Sequence, residues 1–307
     1  MTDKTVPLII NLGGINLEIL QLFFSGLSSG CIYGLIALGF VLIYKSTEAV
    51  NFAQGDMMMI GSLTIISLTS STALGMSFFI AVPLMLLIMG FVGFLIEKIF
   101  LRRITGESQI AIAILTIALG FIFRFIAGVI WGYDPQSLES ALIGKYFIIG
   151  EMVMSAAELL IISVTILLTA FLYYFFARTK MGTAMVAVSQ NQLAASYMGI
   201  PVARMQSITW IIAGLLAGVA GLLYSAKSSV DPVTGLLGIK AFAAAVIGGF
   251  GSLPGALAGG LLVGLIEPFA VRFLPDGYSH LIPYLVLITV LVLKPHGLFS
   301  QTSDKKV

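Results

Sequence analysis

NFAQGDMMMIGS, residues 51–62, is a polar knot between two long apolar runs, and the fold turns on how it is read. Asn51, Gln54 and Asp56 sit within a few residues of segments apolar enough to live in lipid. Polar side chains and irregular backbone at membrane depth are tolerated only where they are buried in protein or line a cavity. Two readings follow. The knot is a boundary loop whose Asn and Asp cap and complement the start of the next helix, or it lines or gates a polar path through the membrane.

Composition settles the surroundings. Of 307 residues, 59% are hydrophobic and 10% charged, with a mean hydropathy of +1.07, whereas soluble domains carry about 25% charged residues. The runs at 78–100 and 157–177 meet the ~20 apolar residues that a helix needs to cross the hydrocarbon core. Barrel strands would be shorter and would alternate, so the expected class is an all-α, polytopic membrane protein. A formal charge of +2, with no basic patch interleaved with aromatics, argues against nucleic acid. The lone cysteine, Cys31, has no intrachain partner and sits in GCIYGLIALGF as a small core residue. The N-terminus, MTDKTVPLII, offers no A-x-A cleavage signal, so no removed signal peptide is expected.

Apolar runs mark eight hydrophobic regions, at about 17–44, 57–74, 78–100, 110–131, 156–177, 207–226, 241–271 and 279–298. Residues 1–307 thus read as one transmembrane domain with short tails at 1–16 and about 299–307. The first region is long for one crossing and contains SGLSSG (25–30), where a tilt or a break is expected. The seventh contains IGGFGSLPG (247–255), which reads as a short helix, a turn and a longer helix, since Gly is costly inside helices and Pro254 suits a first turn. Lys98, Arg102, Arg103, Arg178, Lys180, Arg204 and Lys294 flank spans on what should be the cytoplasmic side. The C-terminus falls there too. The loop 131–152, with Asp134, Glu139 and Glu151 against Lys145, fits the outer side. Parity of crossings then requires the seventh region to cross twice or to dip in and out, with GGFGS on the cytoplasmic side. IALGF occurs at 36–40 and again at 117–121, and a five-residue echo in an apolar alphabet arises readily by chance.

Catalytic signatures are missing. There is no GxxxxGK[ST] or HExxH, and two histidines (His280, His296) with one cysteine make no metal set. No cofactor, metal or intrinsic ATP hydrolysis is expected, and an intramembrane enzyme is disfavoured. The ionisable groups in or near spans are Asp56, Arg124, Glu158, Lys227, Asp231, Lys240 and Glu267, and such residues usually face a bundle interior or water. Glu158, Lys227 and Lys240 are expected to snorkel from span ends. Arg124 is expected to pair with Glu158 or Glu267, and Glu267, just before Pro268, to sit at a boundary.

GLSSGCIYGLIALGFVLIYKSTEAVNFAQGDMMMIGS (26–62), MGTAMVAVSQNQLAASYMGI (181–200) and AVIGGFGSLPGALAGGLLVGLIE (245–267) together resemble, in order and spacing, the LivH-type permease of branched-chain amino acid ABC importers. The resemblance covers most of residues 20–298. It implies a type II-like importer permease in the plasma (inner) membrane, paired with a second, LivM-like permease. It also implies two cytoplasmic ABC ATPase subunits and an external solute-binding protein. Ala194, Ala195 and Gly199, with Gly248, Gly249 and Gly251, are then the expected ATPase-coupling positions. Asn51, Gln54, Asp56, Arg124 and Glu267 are candidates for the translocation path. The family typically has His and Glu where Gln54 and Asp56 stand, and Arg at Val186, so no role of that His carries over. The rival is a secondary transporter or channel for a small polar solute, whose paired intramembrane carboxylates or ion filter the sequence lacks.

Overall fold

The structure is a computed structural model; it describes residues 12–299 apart from 72, 105–107, 139–145, 150–151 and 276–277. Glu139, Lys145 and Glu151 of the acidic loop, and tail residues 1–11 and 300–307, lie outside the described residues.

The described chain is helical almost throughout. Its helices are α1 (Leu12–Thr47), α2 (Gln54–Thr69), α3 (Phe78–Leu95), α4 (Gln109–Trp131), α5 (Ala156–Arg178), α6 (Lys180–Gln190), α7 (Gln192–Tyr197), α8 (Val202–Lys227), α9 (Leu237–Gly248), α10 (Leu253–Phe273) and α11 (Ile282–Leu293). A small hairpin, β1 (Tyr146–Ile149) with β2 (Met152–Ser155), precedes α5. Side-chain caps set several starts. Ser155 and Glu158 form a capping box on α5, Thr179 and Asn191 cap α6 and α7, and Ser252 caps α10 through Gly255 N at 3.1 Å.

Among the described residues six helices are long and apolar enough to cross a membrane: the Glu18–Thr47 part of α1, α3 with its continuation to Ile104, α4, α5, α8 and α10. The remaining regions of the expected eight are shorter. At ~1.5 Å per residue, α9 and α11, each of 12 residues, reach only part of the ~30 Å core.

Helix α1 is the axis of the bundle. It does not break at SGLSSG, as the sequence had suggested it could: Ser28 Oγ returns to Ser25 O at 2.9 Å, and the glycines are taken up in contact with α10. A Cβ on Gly30 would lie 2.8 Å from Leu261 Cα, and one on Gly26 would lie 2.9 Å from Gly264 O. Small residues four apart let two backbones touch where lipid supplies no hydrophobic drive. Helices α3 and α4, by contrast, turn Phe79, Leu87, Phe121 and Phe125 outward, as lipid-facing helices do. The Gly-interrupted region is the expected short helix, turn and longer helix: Gly249 takes φ 96° at the end of α9, and Gly248 abuts Gly255.

Candidate functional site

The polar side chains of the knot, Asn51, Gln54 and Asp56, are buried in the bundle and each is partnered. Asn51 Oδ1 accepts from Ala53 N at 3.1 Å, and Asn51 Nδ2 donates to Gln54 Oε1 at 3.1 Å. Gln54 Nε2 in turn donates to Ala213 O of α8 at 3.1 Å, and Phe52 N donates to Thr116 Oγ1 of α4. Asp56, in the first turn of α2, is 1% exposed and receives both Nε and Nη2 of Arg124, at 2.7 and 3.1 Å. Glycines make room for that carboxylate: a Cβ on Gly120 would stand 2.5 Å from its Oδ2, and one on Gly235 would collide with its Oδ1.

Arg124 therefore pairs with Asp56, not with Glu158 or Glu267 as the sequence suggested. Packing of α4 against α2 brings it level with that first turn, while Glu158 is engaged in the α5 capping box and Glu267 elsewhere. A second feature was hidden in the sequence. Gly55 meets the backbone of Gly235 and Gly238 so closely that no Cβ fits, so the starts of α2 and α9 abut. Ala213, which Gln54 reaches, lies near the middle of α8, so this junction is deep in the bundle. The 3₁₀ turn Thr234–Leu236 leading into it is tied by Asp231 Oδ1, which accepts from Thr234 N at 2.8 Å. DPVTG (231–235) was the available signal.

Glu267 is not merely a boundary group. Tyr33 donates its hydroxyl to Glu267 Oε2 at 2.6 Å, and Lys240 forms an ion pair with Oε1. Both neighbours line, with Glu267, Ser29, Tyr224 and Lys227, a cavity of about 420 Å³ among α1, α8, α9 and α10. Lys227 and Lys240 thus do not snorkel. Lys227 Nζ donates to Ser25 O, Ser28 Oγ and Ser29 Oγ at 2.8, 2.6 and 2.8 Å, because α1 offers oxygens at the end of α8. Among the expected path residues, Glu267 faces this cavity, while Asn51, Gln54 and Asp56 are buried against protein in this conformation.

At the opposite end, α6 and α7 form a helix-turn in which Ala195 is buried and Gly199 takes φ 80° to end α7. Leu193, Tyr197 and Met198 are 71%, 87% and 82% exposed there, an apolar patch beside Ala194. Gln192 Nε2 donates to Ser46 O at 3.0 Å, which ties this end of α1 to α7. Gly248 and Gly249, two of the expected ATPase-coupling positions, are buried. The chain's own end returns over them, with Leu298 N on Ile247 O at 2.8 Å, Phe299 N on Gly248 O at 3.2 Å, and Gly297 against Gly249. Gly251, at the tip of the turn, is exposed. Among the described residues no cluster of His, Cys, Asp or Glu is arranged to hold a metal.

A helical membrane bundle with two short helices whose starts meet deep inside it, beside a polar cavity, is the architecture of a solute-translocating protein. Residues 22–291 match the branched-chain amino acid transport system permease component family, and the chain belongs to that family. The branched-chain amino acid transport permease BraD of Pseudomonas aeruginosa is 32% identical over 304 residues, covering 94% of this chain and 98% of BraD. LivH of Salmonella typhimurium is 30% identical, covering 95% and 98%, and a probable LivH of Methanocaldococcus jannaschii is 32% identical, covering 86% and 87%. A solved complex, PsaBC from Streptococcus pneumoniae with a Fab, gives a TM-score of 0.49 at 15% identity over 91% of this chain and 94% of that one. The chain is a multi-pass membrane permease.

Proposed function

We propose that this permease is the translocating subunit of an ABC importer for branched-chain or related amino acids, acting as one transmembrane domain in the plasma (inner) membrane. It hydrolyses nothing itself. Energy comes from two cytoplasmic ATPase subunits, a second, LivM-like permease completes the path, and an external solute-binding protein delivers the cargo. The apolar patch Leu193, Tyr197 and Met198 carries this reading, because large exposed apolar groups on a short helix-turn at a bundle end suit docking to another protein. Arg178, Lys180 and Arg204 flank the patch, which supports a cytoplasmic position. The chain's C-terminal segment lies against the α9–α10 turn and shares that side.

Motion imposed on α7 reaches α1 through Gln192 and Ser46, and α1 carries Ser29 and Tyr33 of the cavity at its other half. One helix thus spans from the docking patch to the polar chamber. Asn51, Gln54, Asp56 and Arg124 hold the α2–α9 junction, which we assign as the place where the path opens and closes beside Glu267. Purification of the chain in mild detergent should retain an ATPase and a second permease. A cysteine at Tyr197 should cross-link to that ATPase, and Leu193→Ala with Tyr197→Ala should reduce ATP-driven uptake without reducing membrane abundance. A chain that purifies alone and moves solute in vesicles without ATP is a secondary transporter, and the proposal fails.

A further inference from the structure

One charged group in the cavity has no counter-charge in contact with it. The three donors of Lys227 all go to neutral oxygens of α1, and among the described residues it makes no ion pair. Glu158 and Glu267 act on it only from beyond contact. Lys240, the other cation in the lining, is matched by Glu267, whose second oxygen accepts from Tyr33. Of the two lysines in the lining, Lys227 is the one that no carboxylate touches, Glu158 lying beyond the cavity wall. A lone cation in a recess with low-dielectric walls concentrates anions. Exchanging a serine oxygen for a carboxylate oxygen would turn a bond with one ionised partner into an ion pair with two.

The remaining lining fits the rest of an amino acid. Glu267 with Tyr33 offers an acceptor for an ammonium group, and Leu22, Ile32, Leu237 and Val271 supply apolar surface for a branched side chain. The volume, about 420 Å³, falls within the ~300–1,000 Å³ of small-molecule sites. We propose that Lys227 is a substrate-binding residue, whose ammonium receives the carboxylate of the amino acid as it passes between α1, α8, α9 and α10. This rests on the permease reading above. The structural alternative is a lysine that pins the end of α8 to α1 and complements the helix dipole. An anionic lipid headgroup is the competing source of the same chemistry.

The test uses the importer complex, purified through this chain and placed in phosphatidylcholine vesicles. Ser228→Cys, in the cavity wall next to Lys227, is labelled with an anionic and with a cationic methanethiosulfonate; the buried Cys31 gives the background. An unmatched ammonium speeds the anionic reagent relative to the cationic one. One charge at about 6 Å in water changes a local concentration about threefold, so Lys227→Gln should lower the rate ratio at least about threefold and Lys227→Arg should keep it. Leucine should protect the cysteine and leucinamide, which lacks the carboxylate, should not; that comparison needs no change at Lys227. A ratio indifferent to Lys227→Gln, or equal protection by leucine and leucinamide, overturns the proposal. Protection that requires phosphatidylglycerol and ignores leucine makes this a lipid site and also overturns it. Uptake of labelled leucine, isoleucine and valine in the same vesicles separates the two levels. If none of the three enters with the wild type supplied with ATP and its solute-binding protein, the branched-chain reading falls; if they enter while labelling ignores Lys227, only this inference does.

Discussion

Arg124 meets Asp56 with two parallel N–H···O bonds, Nε to Oδ1 at 2.7 Å and Nη2 to Oδ2 at 3.1 Å, and so joins α4 to the first turn of α2. The carboxylate is 1% exposed and the guanidinium side chain 28%, so removing one partner leaves a charge with little water to relieve it. Breaking such a pair costs about 3 kcal/mol, whereas removing both partners costs less. Arg124→Met should therefore lower the thermal midpoint of the detergent-purified protein clearly, and the double variant Asp56→Asn with Arg124→Met should recover part of the loss. A double variant that is simply the sum of the two singles would show that the residues are not coupled.

The α1–α10 seam gives a steric prediction. Gly30→Ala puts a methyl 2.8 Å from Leu261 Cα, a backbone atom that cannot step aside, and should reduce the amount of folded protein in the membrane. Gly90→Ala meets only side-chain atoms at 3.4 Å or more and should be tolerated. Immunoblots of membranes, followed by size exclusion in detergent, compare the two.

Much of this architecture is visible in residue order, and what is not has a physical cause. Apolar length marks α1, α3, α4, α5, α8 and α10, and GGFGSLP marks the α9–α10 turn, because hydropathy and turn chemistry are local. The abutting starts of α2 and α9 are not legible in the same way. Gly55 and Gly235 are far apart in sequence and neither looks unusual alone; only their contact shows why both lack a side chain. Charge partners are hidden for the same reason: span boundaries say how deep Arg124 lies but not which neighbour turns toward it. Lys227 and Lys240 looked able to snorkel because a sequence shows reach and hides the serines and the glutamate waiting inside. Asn51 and Gln54 were readable as polar and deep, and the structure adds that each side chain is used to hold backbone or its neighbour.

The Glu267 cluster predicts an asymmetry between two conservative changes. Tyr33→Phe removes one donor and leaves Lys240 in place, so stability should fall by about 1 kcal/mol. Glu267→Gln removes the counter-charge and leaves Lys240 and Lys227 in one cavity lining with no carboxylate, so it should cost more and should depress uptake further. Thermal midpoints and initial uptake rates, each normalised to abundance, check the order. Equal effects would mean that the hydroxyl and not the ion pair organises the site.

Gly297 offers a way to ask what the returning chain end does. It adopts φ 84°, which L side chains rarely occupy, and a Cβ there would lie 2.6 Å from Gly249 Cα. Gly297→Val should lift the segment that carries the Leu298 N to Ile247 O and Phe299 N to Gly248 O bonds, uncovering the α9–α10 turn. The bundle itself is held elsewhere, along α1 and α10, so global stability should change little. Limited proteolysis should then cut near Gly249–Gly251 faster in the variant than in the wild type. An unchanged digest would mean that the turn stays covered without these bonds.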